Sequence, residues 1–169
     1  EVKEIGTALI KEISNQPKTA DVNQTIATTI STIAKSTPEN TAPLIQSALT
    51  QVKPEQQVPL AKNIISTLIS NNDIQEANTG IKQIVQTLAE PINEPSQIGR
   101  IVTEVLTPVV ESNKTPQQVS TLTQTAIATA IENKPSAVVK EIGLTVIKEL
   151  GNASKPTTNE TNQSNINQS

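Results

Sequence analysis

Ile98-Gly-Arg-Ile101-Val102-Thr-Glu-Val105-Leu106-Thr-Pro-Val109 carries an aliphatic residue at positions 0, 3, 4, 7, 8 and 11 of its window. Those spacings put all of them on one stripe of a helix with about 3.6 residues per turn, and the alternation of a strand does not fit. The same window recurs from Val2, Val22, Thr41, Gln57, Ala77, Val119 and Val139, at intervals of about twenty residues that shorten once, between Thr41 and Gln57. A pattern repeated at that spacing is the signature of a helical repeat array, each copy being one helix and a short link.

The register holds in every copy. Position 8 reads Ile10, Ile30, Leu49, Ile65, Val85, Leu106, Ile127 and Ile147, so it is expected to be buried throughout. The stripe is interrupted by Thr25, Thr29, Thr41, Gln57 and Thr123, and by Gly6, Gly80 and Gly143, whose missing side chains would let helices approach closely. Position 9, on the far side, is expected to face solvent. The closest internal match joins the two ends: Val2-Lys-Glu-Ile-Gly6 with Ile10-Lys-Glu12 recurs as Val139-Lys-Glu-Ile-Gly143 with Ile147-Lys-Glu149.

Start and stop signals agree with the periodicity. Pro17, Pro38, Pro54, Pro95, Pro116 and Pro135 stand just before or within the first turn of a copy, where a missing N–H costs nothing. Thr115-Pro-Gln-Gln118 and Asp73-Ile-Gln-Glu76 read as capping boxes. Pro38-Glu-Asn-Thr-Ala-Pro43 and Pro54-Glu-Gln-Gln-Val-Pro59 share a double proline, so the second is expected to mark the helix start after a preliminary turn. Pro108 should bend or end its helix near the last turn.

The chain has 169 residues, 34% of them hydrophobic, and no Phe, Trp, Tyr or Met. A core of small aliphatic side chains is thin, which favours a two-layer array over a compact eight-helix bundle because each helix then needs only its neighbours. The expected fold is therefore all-α: a two-layer helical repeat array, solenoid or crescent, of about eight helices over residues 1–151. From Gly151 the text turns polar and aperiodic, and 152–169 is expected to be a disordered linker. Its matches to the N-glycosylation acceptor at Asn159 and Asn162 arise readily in text so rich in asparagine and serine. Because the chain opens at Glu1, with a first copy resembling the last, it is expected to be a segment of a longer protein.

Composition also bounds the chemistry. Without Cys or His there is no thiolate, no imidazole base and no soft metal ligand, so neither catalysis nor a cofactor is expected. Glu4, Glu12, Glu141 and Glu149 each stand beside a lysine on the polar side of a helix, the pattern of a solvated face. Net charge is −3 with a single arginine, Arg100, and no stacking aromatic, which leaves no footprint for nucleic acid. No apolar run reaches the roughly 18 residues of a membrane span, so no membrane insertion is expected.

The copies from Val22 to Ala34 and from Val119 to Ile131 contain no charge, unlike the terminal copies with their Lys-Glu pairs. Charge depletion marks the core of contact surfaces. Gln24, Thr28 and Ser31 on one copy, with Thr121, Gln124 and Thr125 on the other, are therefore the candidate contact ridges for a protein partner.

Low charge, Asn/Thr/Ile-rich text, absent cysteine and a helical repeat followed by a polar linker resemble the passenger regions of bacterial surface autotransporters, and among them the rickettsial surface cell antigens. The likeness spans roughly Glu1 to Gly151 and carries no site residue with it. It implies a crescent of helix-loop-helix repeats at the bacterial cell surface, within a secreted or outer-membrane-anchored protein. The implied role is to assist nucleation or elongation of host actin filaments, with actin or another repeat domain of the same chain as partner. The alternative is a stalk or adhesin domain without actin activity.

Overall fold

The computed structural model describes residues 1–15, 22–71 and 73–153. Pro17 and residues 154–169, which hold nearly all of the expected linker, lie outside that range. Among the described residues there are eight α-helices and no strand: α1 (Val2–Ser14), α2 (Val22–Ser36), α3 (Thr41–Gln51), α4 (Pro54–Ser70), α5 (Ile74–Ala89), α6 (Pro95–Val110), α7 (Pro116–Ile131) and α8 (Ser136–Ala153). The last helix thus takes in Asn152 and Ala153, two residues past the expected boundary.

Each helix packs on the next one and on the next but one. Links as short as Val52–Lys53 return the chain immediately, so odd-numbered helices form one layer and even-numbered helices the other. This is the two-layer repeat array read from the periodicity. The aliphatic stripes meet between the layers in a continuous core running from Ile10 through Ile65 and Val102 to Val146.

Within a layer the stripe has a direction. A Cβ built on Gly6 would stand 2.6 Å from Leu44 Cδ2, and one on Gly80 would stand 3.3 Å from Ile45 Cδ1. Position 4 of one helix therefore faces position 3 of the next helix in its layer: Gly6 against Leu44, and Ile45 against Gly80. Every helix has a forward flank and a backward flank, and interior helices have both covered.

The ends depart from the expected register for that reason. Position 8 is buried from Ile10 to Leu106, yet Ile127 is only half-buried and Ile147 is 71% exposed. No later helix is among the described residues to cover the forward flanks of α7 and α8. Gly143 likewise has no described residue within 4 Å of its built Cβ, whereas Gly6 and Gly80 serve the close approach expected of them. Three of the polar interruptions belong to the same edges, Thr25 and Thr29 on the backward flank of α2 and Thr123 on the forward flank of α7, whereas Thr41 and Gln57 sit inside the array and bond to Glu76 and the Leu49 carbonyl oxygen.

Caps and prolines follow the sequence with two differences. Thr115 closes a full capping box with Gln118, whereas Asp73 caps the amide of Glu76 but receives no reciprocal bond. The Glu76 side chain turns inward instead, to accept from the buried Thr41 hydroxyl. The double prolines also diverge: Pro38–Asn40 forms the preliminary 3-10 turn before α3, but α4 runs unbroken from Pro54 through Pro59. Gln56 and Gln57, where the earlier copy has Asn40 and Thr41, are better helix formers and carry α4 across the junction. Pro108 sits in the last turn of α6, which closes at Val110.

Candidate interaction surface

Polar side chains bind in-layer neighbours together and decide which surface is left for a partner. On the even layer, Lys62 of α4 pairs with Glu104 of α6 at 3.1 Å, and the Asn71 amide at the end of α4 donates to Ser31 of α2 at 2.6 Å. On the odd layer, Thr41 reaches Glu76, and the Thr125 hydroxyl of α7 donates to the Asn78 carbonyl oxygen of α5.

These rungs sort the six sequence-predicted contact residues. Gln24 and Thr28 are exposed on α2, with the Gln24 amide donating to Thr67 of α4. Ser31 is 3% exposed and is an internal contact, a correction to its reading as part of a solvent ridge, because Asn71 covers it. Thr121 and Gln124 are exposed on α7, and Thr125 is half-buried by its bond to α5. Since α2 lies in the even layer and α7 in the odd layer, the two ridges belong to different faces.

The two layers differ in charge. Among even helices, α2 carries Lys35, α4 Glu55 and Lys62, α6 Arg100 and Glu104, and α8 four charged residues. In the odd layer α1 carries Lys3, Glu4, Lys11 and Glu12, but beyond it α3 and α7 carry none, and α5 has only the buried Glu76 and the exposed Lys82. Copy three carries no charge from Thr41 to Val52, and Lys53 beyond it is the N-cap of α4, so α3 itself is uncharged. The lengths of α2 and α3 were the missing signal: α2 runs on to take in Lys35, whereas α3 stops at Gln51.

The outer face of α3, α5 and α7 is thus one broad, nearly uncharged polar surface, on which the Thr121 and Gln124 ridge forms one border. Two grooves adjoin on it. One of about 570 Å³ runs between α3 and α5, past Gln46, Thr50, Gln83, Gln86 and Thr87. The other, about 280 Å³ between α5 and α7, shares Gln86 and Glu90 and adds Thr129 and Asn133, with the charges of Glu90, Glu132 and Lys134 gathered at the loop end of the helices. Asn133 adopts φ 60°, the left-handed turn that ends α7, and the ammonium of Lys134 then donates to the carbonyl oxygens of Glu90 and Ile92. The floor of the surface is therefore fixed by backbone contacts. The corresponding even-layer groove, about 550 Å³ between α4 and α6, is rimmed by Lys62, Glu111 and Lys114.

Glutamine and threonine side chains offer donors and acceptors without the desolvation cost of a charge, which suits shape-based recognition of another protein surface. Among the described residues no group of acidic side chains is arranged to hold a metal ion, and no helix is long and apolar enough to cross a membrane. In comparison with known proteins, no family model matches the chain, and no curated protein matches it.

Proposed function

We propose that the array is a protein-binding module that engages its partner through the outer face of α3, α5 and α7. The observation that carries this reading is the charge depletion of that face, continuous over three parallel helices, beside an even layer in which every helix carries charge. Helical arrays supply extended surfaces of this kind by construction. In line with the resemblance to rickettsial surface cell antigens, the proposed setting is the bacterial surface and the proposed partner host actin, with another repeat domain of the same chain as the second candidate. A binding role also accounts for the threonines of that surface, where glutamate and lysine would make better helices.

The test is co-sedimentation with actin filaments together with pyrene-actin assembly, with and without the intact chain. Gln46→Lys with Gln86→Lys should weaken binding at least tenfold while circular dichroism stays unchanged, since charge would be forced into the contact. Ser66→Lys, on the exposed face of α4, should leave binding intact. Equal losses from both variants would remove the odd-layer face from consideration. No binding by the unmodified chain, to actin or to another repeat domain of the same protein, would turn the assignment to a stalk or adhesin.

A further inference from the structure

Among the described residues, the first and last helices each leave one apolar flank uncovered. Here α1 exposes Val2, Ile5 and Leu9 on its backward flank, and α8 exposes Leu144 and Ile147 on its forward flank beside the empty notch at Gly143. One bare flank faces backward and the other forward, so together they make the two halves of the joint repeated inside the array. The duplicated segment adds weight to this. The forward flank of α1, with Gly6 and Ile10, is filled by Leu44 and Ile33, and the same residues recur uncovered in α8 as Gly143 and Ile147.

Charge completes the match. Beside the bare stripe of α8 runs an exposed row of Lys140, Leu144 and Lys148, and beside that of α1 an exposed row of Glu4, Ala8 and Glu12. Inside the array, Lys62 at position 5 of α4 bonds Glu104 at position 6 of α6, a forward lysine to a backward glutamate one position on. Lys148 at position 9 and Glu12 at position 10 repeat that step, as do Lys140 at position 1 and Glu4 at position 2.

We infer that a second copy of this chain docks head to tail, the α1 edge of one array seated on the α8 edge of another. A half-turn of the second copy about the long axis places its α1 parallel to α8 in one layer and its α2 parallel to α7 in the other. Apolar flank then meets apolar flank, and Thr25, Thr28 and Thr29 of α2 meet Thr123 and Gln124 of α7. Docking without the half-turn would set the bare stripe of α8 against those threonines. The contact is heterologous, so growth does not close at a dimer. This inference does not rest on the proposed partner face, which lies along α3, α5 and α7 and meets the joint at Gln124.

Sedimentation velocity of the intact chain up to roughly 200 μM tests it, a range that reaches weak association. The wild type should grow beyond a dimer with concentration. Leu9→Lys and Ile147→Lys, both at exposed positions, should keep full helicity by circular dichroism and each stay monomeric, while an equimolar mixture of the two should form dimers and stop there. Lys148→Glu should weaken association by roughly fivefold, the scale of one exposed ion pair, and Glu12→Lys should restore it. A wild type that stays monomeric, a Leu9→Lys chain that dimerises alone, or a mixture no more associated than its components would overturn the proposal.

Discussion

Residue by residue, cover decides the role of a side chain more than its identity does. Ile65 and Ile147 hold the same position of the repeat, yet Ile65 is fully buried between the layers and Ile147 is 71% exposed. Replacing Ile65 by Ala removes buried methylenes and leaves a cavity, at a cost of about 2 to 5 kcal/mol. Ile147→Ala removes little buried surface and exchanges a β-branched residue for the best helix former, so its effect should stay within about 0.5 kcal/mol. Denaturant midpoints of the two variants at equal slope check this, and a comparable loss in both would mean that the α8 flank is covered in solution. The glycines follow the same rule: Gly6 and Gly143 each close a Val-Lys-Glu-Ile-Gly run, and among the described residues only Gly6 has a neighbour in its notch.

At the level of the helix, periodicity made the elements legible, because a stripe of aliphatic residues recurs wherever a helix must bury one side. Helix starts were legible for the same local reason, since Pro95 and Pro116 each open their helix as proline punctuation predicts, whereas α4 opens at Pro54 and not at the expected Pro59. The pairing of elements was not legible. That Glu76 leaves its capping box for Thr41, or that Ser31 is covered by Asn71, depends on which helix lies two further along the chain, and no local window contains that neighbour. The candidate surface was half legible for this reason: the uncharged α7 was found, but α2 was chosen in place of α3 because helix length could not be read from the repeat interval. The rungs between helices are testable directly. Thr41→Val keeps the shape of the side chain and strips the Glu76 carboxylate of its buried donor, which should cost about 1 to 3 kcal/mol. The check is a urea titration, in which an unchanged midpoint would show that Glu76 finds water instead.

For the whole molecule, a two-layer array is quasi-one-dimensional, and its stability is set by how many neighbours each helix has. Among the described residues, helices α3 to α6 pack on two neighbours to either side, whereas α1 rests mainly on α2 and α3, and α8 mainly on α6, more thinly on α7. Opening a terminal helix uncovers one flank, and opening a central helix uncovers both. Local opening free energies should therefore fall from the centre towards both ends. Native-state hydrogen exchange at low protein concentration should find the slowest amides in α4 and α5, with progressively faster exchange through α2 and α7 to α1 and α8. Uniform protection from α1 to α8 would instead describe one cooperative unit and remove the neighbour-counting argument. Raising the concentration sharpens the measurement, because head-to-tail docking gives the end helices the neighbours they lack. Protection should then rise in α1 and α8 while α4 and α5 stay unchanged, and a rise spread evenly along the array would point to association through a layer face.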